Sequence, residues 1–402
     1  MRLPRVFTRR SLFKGLAVTG IAATTISVLD GCVNSGDEWV VPEPLVVDED
    51  TAISVLEEYE EQDLTLRELA RWELPLGSVL HEGEGSYIAV TQAGVSAAPM
   101  VKGTAFGLTT GQITEVIGDV RGDSHTQVIY DVRCSDSVYA WVELDILTHA
   151  WALFAAPFAN GALSGEVTKL WSSDAEYDPP GFCCTGKAVL WQITPSLSGS
   201  KTQEHSFCYL WRIGQDAAKA VVESPGRFPV GPSVSGDVAI VCPRVRAEEG
   251  IFYGIGAYAL DDDLATVVDQ MVLPQTVRPF YATRIDDRFC VSIEANYSSG
   301  GMFGTMGTYI GPSSGPFVRL AREPSANVAG KDDTFIIKSR TSYFVVDVRK
   351  ASYSILAAAN RCVDYGEYPA RVGEVDDFVT FSTVKDEASG YPLNVVVRQF
   401  RL

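Results

Sequence analysis

Arginines interleaved with aromatic rings are the residues of this chain best suited to chemistry. Tyr177, Phe182, Arg227, Phe228, Arg278, Phe280, Tyr281, Arg361, Tyr365, Tyr368 and Arg371 fall in or beside the segments 172–182, 225–231, 274–281 and 360–370, each between runs of strand-forming residues. A guanidinium beside a ring, on a concave surface, suits an anionic or polar organic ligand such as a glycan or a peptide carboxylate. The alternative is that the rings fill an interior and the arginines pair with the many acids. Tyr177, Arg227, Arg278, Phe280, Tyr281, Tyr365 and Arg371 are the candidate ligand-binding residues.

Other chemistries are thinly supplied. The four histidines, His81, His125, His149 and His205, are scattered. No HxH, HExxH or Cys/His cluster occurs, so no metal is expected. No Gly-x-Ser-x-Gly elbow marks a nucleophile. Glu143 and Glu294, near the ends of apolar runs, could form the carboxylate pair of a glycoside hydrolase, but among 51 acids a chance pair is expected. The glycine-rich stretch Asn296 to Gly304 lacks the strand-to-helix setting of a phosphate loop. Arg121-Gly122-Asp123 matches an adhesion tripeptide, which is weak in isolation. The eight cysteines show no CxxC spacing. Cys208, Cys242 and Cys290 sit in apolar runs as reduced core residues do, and a disulfide between the adjacent Cys183 and Cys184 would be rare. No catalytic residue is assigned, no cofactor is expected, and whether the chain is an enzyme stays open, with the balance against it.

A recurring unit must position these residues. Asp286-Asp287 precedes the apolar strand Phe289-Cys290-Val291-Ser292-Ile293. The pattern recurs at Gly236-Asp237, Asp332-Asp333 and Asp376-Asp377, and more weakly at Gly85, Asp136-Ser137 and Gly186-Lys187. The interval is about 50 residues, within the range of propeller blades. Val, Ile, Tyr, Trp and Phe fill the strands, with Gly, Asp, Ser and Pro between them. Pro180, Pro229, Pro279 and Pro369 mark the handover from one repeat to the next. The expected fold is all-β: a β-propeller of seven four-stranded blades, with six or eight as the alternatives. Residues 64–74 alternate apolar and polar side chains and are expected as the outer strand of the last blade, with a short amphipathic helix as the alternative. The Asp-Asp turns lack calcium-loop spacing and read as turn residues. They lie on the face away from the expected mouth of the channel.

The formal charge is −18 and hydrophobic residues make up 46% of 402. Such a chain can bury a large core, and its surface repels nucleic acid. Residues 32–63, with Pro42-Glu43-Pro44 and Asp48-Glu49-Asp50, read as an extended acidic tether, with one short helix between Ala52 and Glu61.

The N-terminal residues Thr8-Arg9-Arg10-Ser11-Leu12-Phe13-Lys14 resemble a bacterial twin-arginine export signal, and Leu29-Asp30-Gly31-Cys32 resembles a lipobox. These resemblances imply a signal peptide over 1–31, lipidation at Cys32 and a lipid-anchored protein on the extracytoplasmic face of the cell membrane. The turn-strand unit of 64–402 is loosely similar to the TolB-like propeller repeat. Taken together, the expectation is a monomeric, cell-surface binding or scaffold module for a protein, peptide or glycan at the channel mouth. The alternative is an extracellular hydrolase or lyase acting on a polymer.

Overall fold

The computed structural model describes residues 51–93, 100–122, 125–247, 250–274, 277–294, 306–358 and 366–402. The readings at Arg9, Arg10, Cys32, Asn296, Arg361 and Tyr365 lie outside these residues.

Seven sheets, each built on an antiparallel meander, follow one another around a central channel. The innermost and second strands of the first six are Ser78–Leu80 and Tyr87–Ala93, Gln127–Cys134 and Val138–Asp145, Phe182–Thr185 and Ala188–Ile193, Ser233–Ser235 and Val238–Val241, Pro279–Ile285 and Arg288–Ile293, and Ala329–Lys331 and Thr334–Ser339. The last sheet runs from Glu367–Pro369 through Asp377–Lys385 and Pro392–Arg401 to Arg67–Pro75, whose pairing with Pro392–Arg401 is antiparallel. This is a β-propeller.

The second strands explain why these apolar runs become blades. Ala188–Ile193 and Val238–Val241 are buried at every position, because each sheet is covered by a neighbour on both faces. The apolar clusters accordingly span adjacent sheets. Trp141 and Tyr139 of the second pack with Ala89 and Ala105 of the first. Trp191 and Phe182 of the third pack with Trp151 and Val142 of the second. Val379, Val395 and Val397 of the last pack with Leu80, Ile88 and Phe106 of the first, so the packing is continuous around the ring.

The turns between innermost and second strands need unusual backbone. Gly85, Gly186, Gly236, Asp286, Asp332 and Asp333 all have positive φ, which Gly adopts freely and Asp tolerates. Their polar groups also tie each turn to the next. Asp136 accepts from the Ser86 N–H at 2.7 Å. Asp286 accepts from the Asp333 N–H at 2.9 Å. Ser135 Oγ donates to the Gly186 carbonyl at 2.6 Å.

The structure corrects the sequence reading in three places. The blades are not uniformly four-stranded: three sheets have four strands and the others carry additional short ones. Part of the expected tether is packed. Ile53–Ser54 pairs in parallel with Val318–Arg319, and Glu60–Glu61 with Ser352–Tyr353. Between them a single helical turn, Val55–Glu58, buries Val55 against Ile310 and Leu320. Acidic composition argued for solvation, but open blade edges supply backbone partners and Val55 supplies an apolar anchor. Finally, the last sheet is interrupted after its innermost strand, Glu367–Pro369. Residues 371–376 then leave it to cross the channel, where Gly373–Glu374 pairs in parallel with Ala329–Gly330. Gly373, at φ +72, lets the chain turn there.

Candidate functional site

The sequence candidates separate into three environments. Tyr177 and Arg227 meet on the rim. The Tyr177 hydroxyl donates to Glu204 at 2.6 Å, Lys201 Nζ lies 4.9 Å from its ring, and the bond to Glu204 raises its pKa. Arg227 donates to Asp178 at 2.5 Å and to the Pro195 carbonyl. His205 on the same rim is held through Nδ1 by the buried carboxylate of Glu223. Arg278 is exposed and Phe280 is half-buried against the fifth–sixth blade core. Tyr281 is buried in that core, its hydroxyl donating to the Val328 carbonyl at 3.3 Å, and burial pushes its pKa well up. Its strand position turns it away from the mouth, because alternate residues of a strand face opposite sides. Arg371 lies in the channel at the other end of the ring.

The carboxylate pair weighed for hydrolysis is not assembled. Glu143 is buried, accepting from Trp141 Nε1 at 3.1 Å and the Arg121 N–H at 2.8 Å, which makes it a structural acceptor. Glu294 is exposed just past the second strand of the fifth sheet, whereas Glu143 lies in the second strand of the second.

The channel interior holds a polar cluster that sequence patterns did not reveal. Arg133 Nη1 donates to Asp131 and to the Val132 carbonyl at 2.8 Å, and its guanidinium lies 5.4 Å from the Phe182 ring, while His81 Nδ1 lies 3.0 Å from both Arg133 Nη1 and Asp131. His81 Nε2 meets Thr91 Oγ1 at 2.8 Å. Burial holds His81 below its ordinary pKa. Burial alone would raise Asp131, but Arg133 and His81 outweigh it and hold the carboxyl down. Next to them Glu82 of the first blade accepts from Asn327 Nδ2 of the sixth, a bond that spans the channel. Burial pushes Glu82 up.

On the turn side of this cluster lies a cavity of about 480 Å³. The first blade contributes Glu82 to Gly85, the third Cys183 and Cys184, the fourth Ser233, Val234 and Gly236, and the crossing segment Arg371 to Asp376. Glu374 is fixed by its N–H donating to Ser235 Oγ at 2.9 Å, and its carboxylate rests over Gly236, where an added Cβ would come within 2.9 Å. Burial raises Glu374, and Asp286 raises it further. The cavity therefore opens on the turn face, not among the Arg/aromatic loops. The free thiols facing it are protonated, since burial pushes Cys183 up to about 12.

No protein-family model and no curated protein matches the chain. The expected likeness to the TolB-like repeat is accordingly withdrawn, and the export and lipid-anchor resemblances gain no support. Among solved structures, the chain is similar to the beta-propeller domain of the Trilobed protease from Pyrococcus furiosus, at 10% identity and TM-score 0.48 over 81% of this chain and 94% of that one. It is similar to Pyrococcus horikoshii acylaminoacyl peptidase at 11% identity and TM-score 0.49, over 80% of this chain and 52% of that one. A chain of the Mitotic Checkpoint Complex matches at 7% identity and TM-score 0.49, over 93% and 99%. At such identities the likeness concerns the fold.

Proposed function

We propose that this chain is a binding module that docks a protein or peptide partner on the face made by the loops between second and third strands. One observation carries the reading: large apolar side chains stand in solvent on this face across four consecutive blades. Tyr391 and Leu393 belong to the last blade, Leu76 to the link into the first, Ile146 and Leu147 to the second, and Leu197 to the third. Leu147, Leu197 and Tyr391, at 73%, 75% and 75%, are the most exposed large apolar side chains among the described residues. Keeping such area in water forgoes about 25 cal/mol per Å² of apolar surface, and gathered patches mark interaction sites. Asp145, Glu204, Asp386 and Glu387, with Lys201 and Lys385, flank the patch, so the partner is apolar at its centre and polar at its edge.

A hydrolase reading draws less support, because Glu143 is committed to Trp141 and Arg121 and Glu294 belongs to a different blade. The test is photo-crosslinking in the native cell, with a benzophenone amino acid at position 147, 197 or 391. Positions 268 and 355, on outer blade strands, serve as controls. The proposal expects one or a few discrete protein adducts from the three face positions. Adducts of equal yield from the control positions, or none from the face, would overturn it.

A further inference from the structure

We infer that the channel cavity on the turn face is a binding site for a small zwitterion: a free α-amino acid or the charged termini of a short peptide. The cavity lies at the opposite end of the ring from the apolar face, and the inference stands or falls independently of the docking proposal.

The argument begins with charges of both signs that face one space without satisfying each other. Arg371 lines the cavity, makes no ion pair among the described residues, and buries its Nε without a hydrogen-bond partner. Most arginines near this face are engaged: Arg288 with Asp333, Arg284 with Asp269, Arg133 with Asp131. Burial pulls Arg371 down against the attraction of Asp377, Asp136 and Asp376, none of which forms an ion pair with it. Two carboxylates line the same space, Glu82, half-buried and within the field of Arg133, and Glu374, exposed to the cavity. Asp376 is different, since Lys331 is hydrogen-bonded to it.

These groups cannot simply collapse together. Glu82 is tied to Asn327 across the channel, and Glu374 is fixed to the fourth blade through Ser235 and Gly236. The space between them, about 480 Å³, falls within the roughly 300–1,000 Å³ of pockets that take small organic ligands. A ligand carboxylate at Arg371 would supply the partner its Nε lacks, and a ligand ammonium at Glu82 or Glu374 would match the acidic wall of the same space. A simple anion would face that acidic wall unaided, and a simple cation would leave Arg371 without its partner.

The test is calorimetric titration of the full chain with L-alanyl-L-alanine, its N-acetyl form and its C-terminal amide, each up to about 10 mM, with thermal shift as a second readout. The dipeptide should bind, and blocking either terminus should weaken binding at least tenfold. Arg371→Gln should lose discrimination against the C-terminal amide, and Glu82→Gln together with Glu374→Gln discrimination against the N-acetyl form. If a variant fails to fold, the blocked peptides on the wild-type chain still decide the matter. Absence of dipeptide binding to the wild-type chain, equal binding of all three peptides, or binding unchanged in folded Arg371→Gln would overturn the inference.

Discussion

Replacing Arg133 by Met should destabilise the protein by about 3 kcal/mol, and the cost should depend on pH. The side chain is 18% exposed and its partner Asp131 21%, so the pair is shielded from bulk water yet open to the channel. Removing one partner of a buried pair costs about 3–5 kcal/mol, and this channel exposure favours the lower end. The variant also loses the donor to Val132 and the contact with the Phe182 ring, worth about 0.5–1 kcal/mol. In the wild type Asp131 is held below its ordinary pKa of 3.8, so its contribution is complete above that value and is lost as pH falls through the folded pKa. Without Arg133, burial raises Asp131 instead, and the variant can relieve the cost by taking up a proton. The gap between wild type and Arg133→Met, read by urea unfolding, should therefore be widest near pH 7 and narrow towards pH 4. Asp131→Asn combined with Arg133→Met should cost about 1–2 kcal/mol less than the two single changes added together. A loss below about 1 kcal/mol at pH 7, a pH-independent gap, or strict additivity would refute the reasoning.

Three further outcomes follow from the same structure. His81 is held below its ordinary value of 6.5, so the unfolded chain takes up its proton first. Its contribution is full above pH 6.5 and lost as pH falls through the folded value, so His81→Gln should flatten the stability–pH curve below pH 6.5 in urea titrations. Trp141 is fully buried between the first and second blades, and Trp141→Ala should cost about 3–5 kcal/mol. In the same unfolding assay Leu147→Ser, at an exposed loop position, should change stability by no more than about 0.5 kcal/mol.

What the sequence made legible was local. A positive-φ turn followed by a doubly buried strand leaves a plain signature, and Gly236-Asp237 and Asp286-Asp287 stand where such turns are needed. The packed segment 53–61 was hidden because its strands are two residues long and its partners lie 265 and 292 positions away. The crossing of the channel by Gly373–Glu374 likewise depends on an edge of the sixth sheet that no local pattern announces. The site was harder still. Arg371 was found by its type, but its placement beside Glu82 and Glu374 comes from the ring and not from spacing. No sequence pattern singled out those acids, and His81 resembled an isolated histidine until the fold brought Asp131 and Arg133 to it. Tyr281 illustrates the converse: an aromatic beside a loop arginine, yet one that fills the core.

The most direct test of the docking face is the affinity of a partner captured by crosslinking, measured against the wild type and against Leu147→Ser/Leu197→Ser/Tyr391→Ser. Central apolar anchors each contribute about 2 kcal/mol when they are hot spots, so the triple variant should bind at least about 30-fold more weakly while unfolding at the same urea concentration. Unchanged affinity in a folded triple variant would contradict the account.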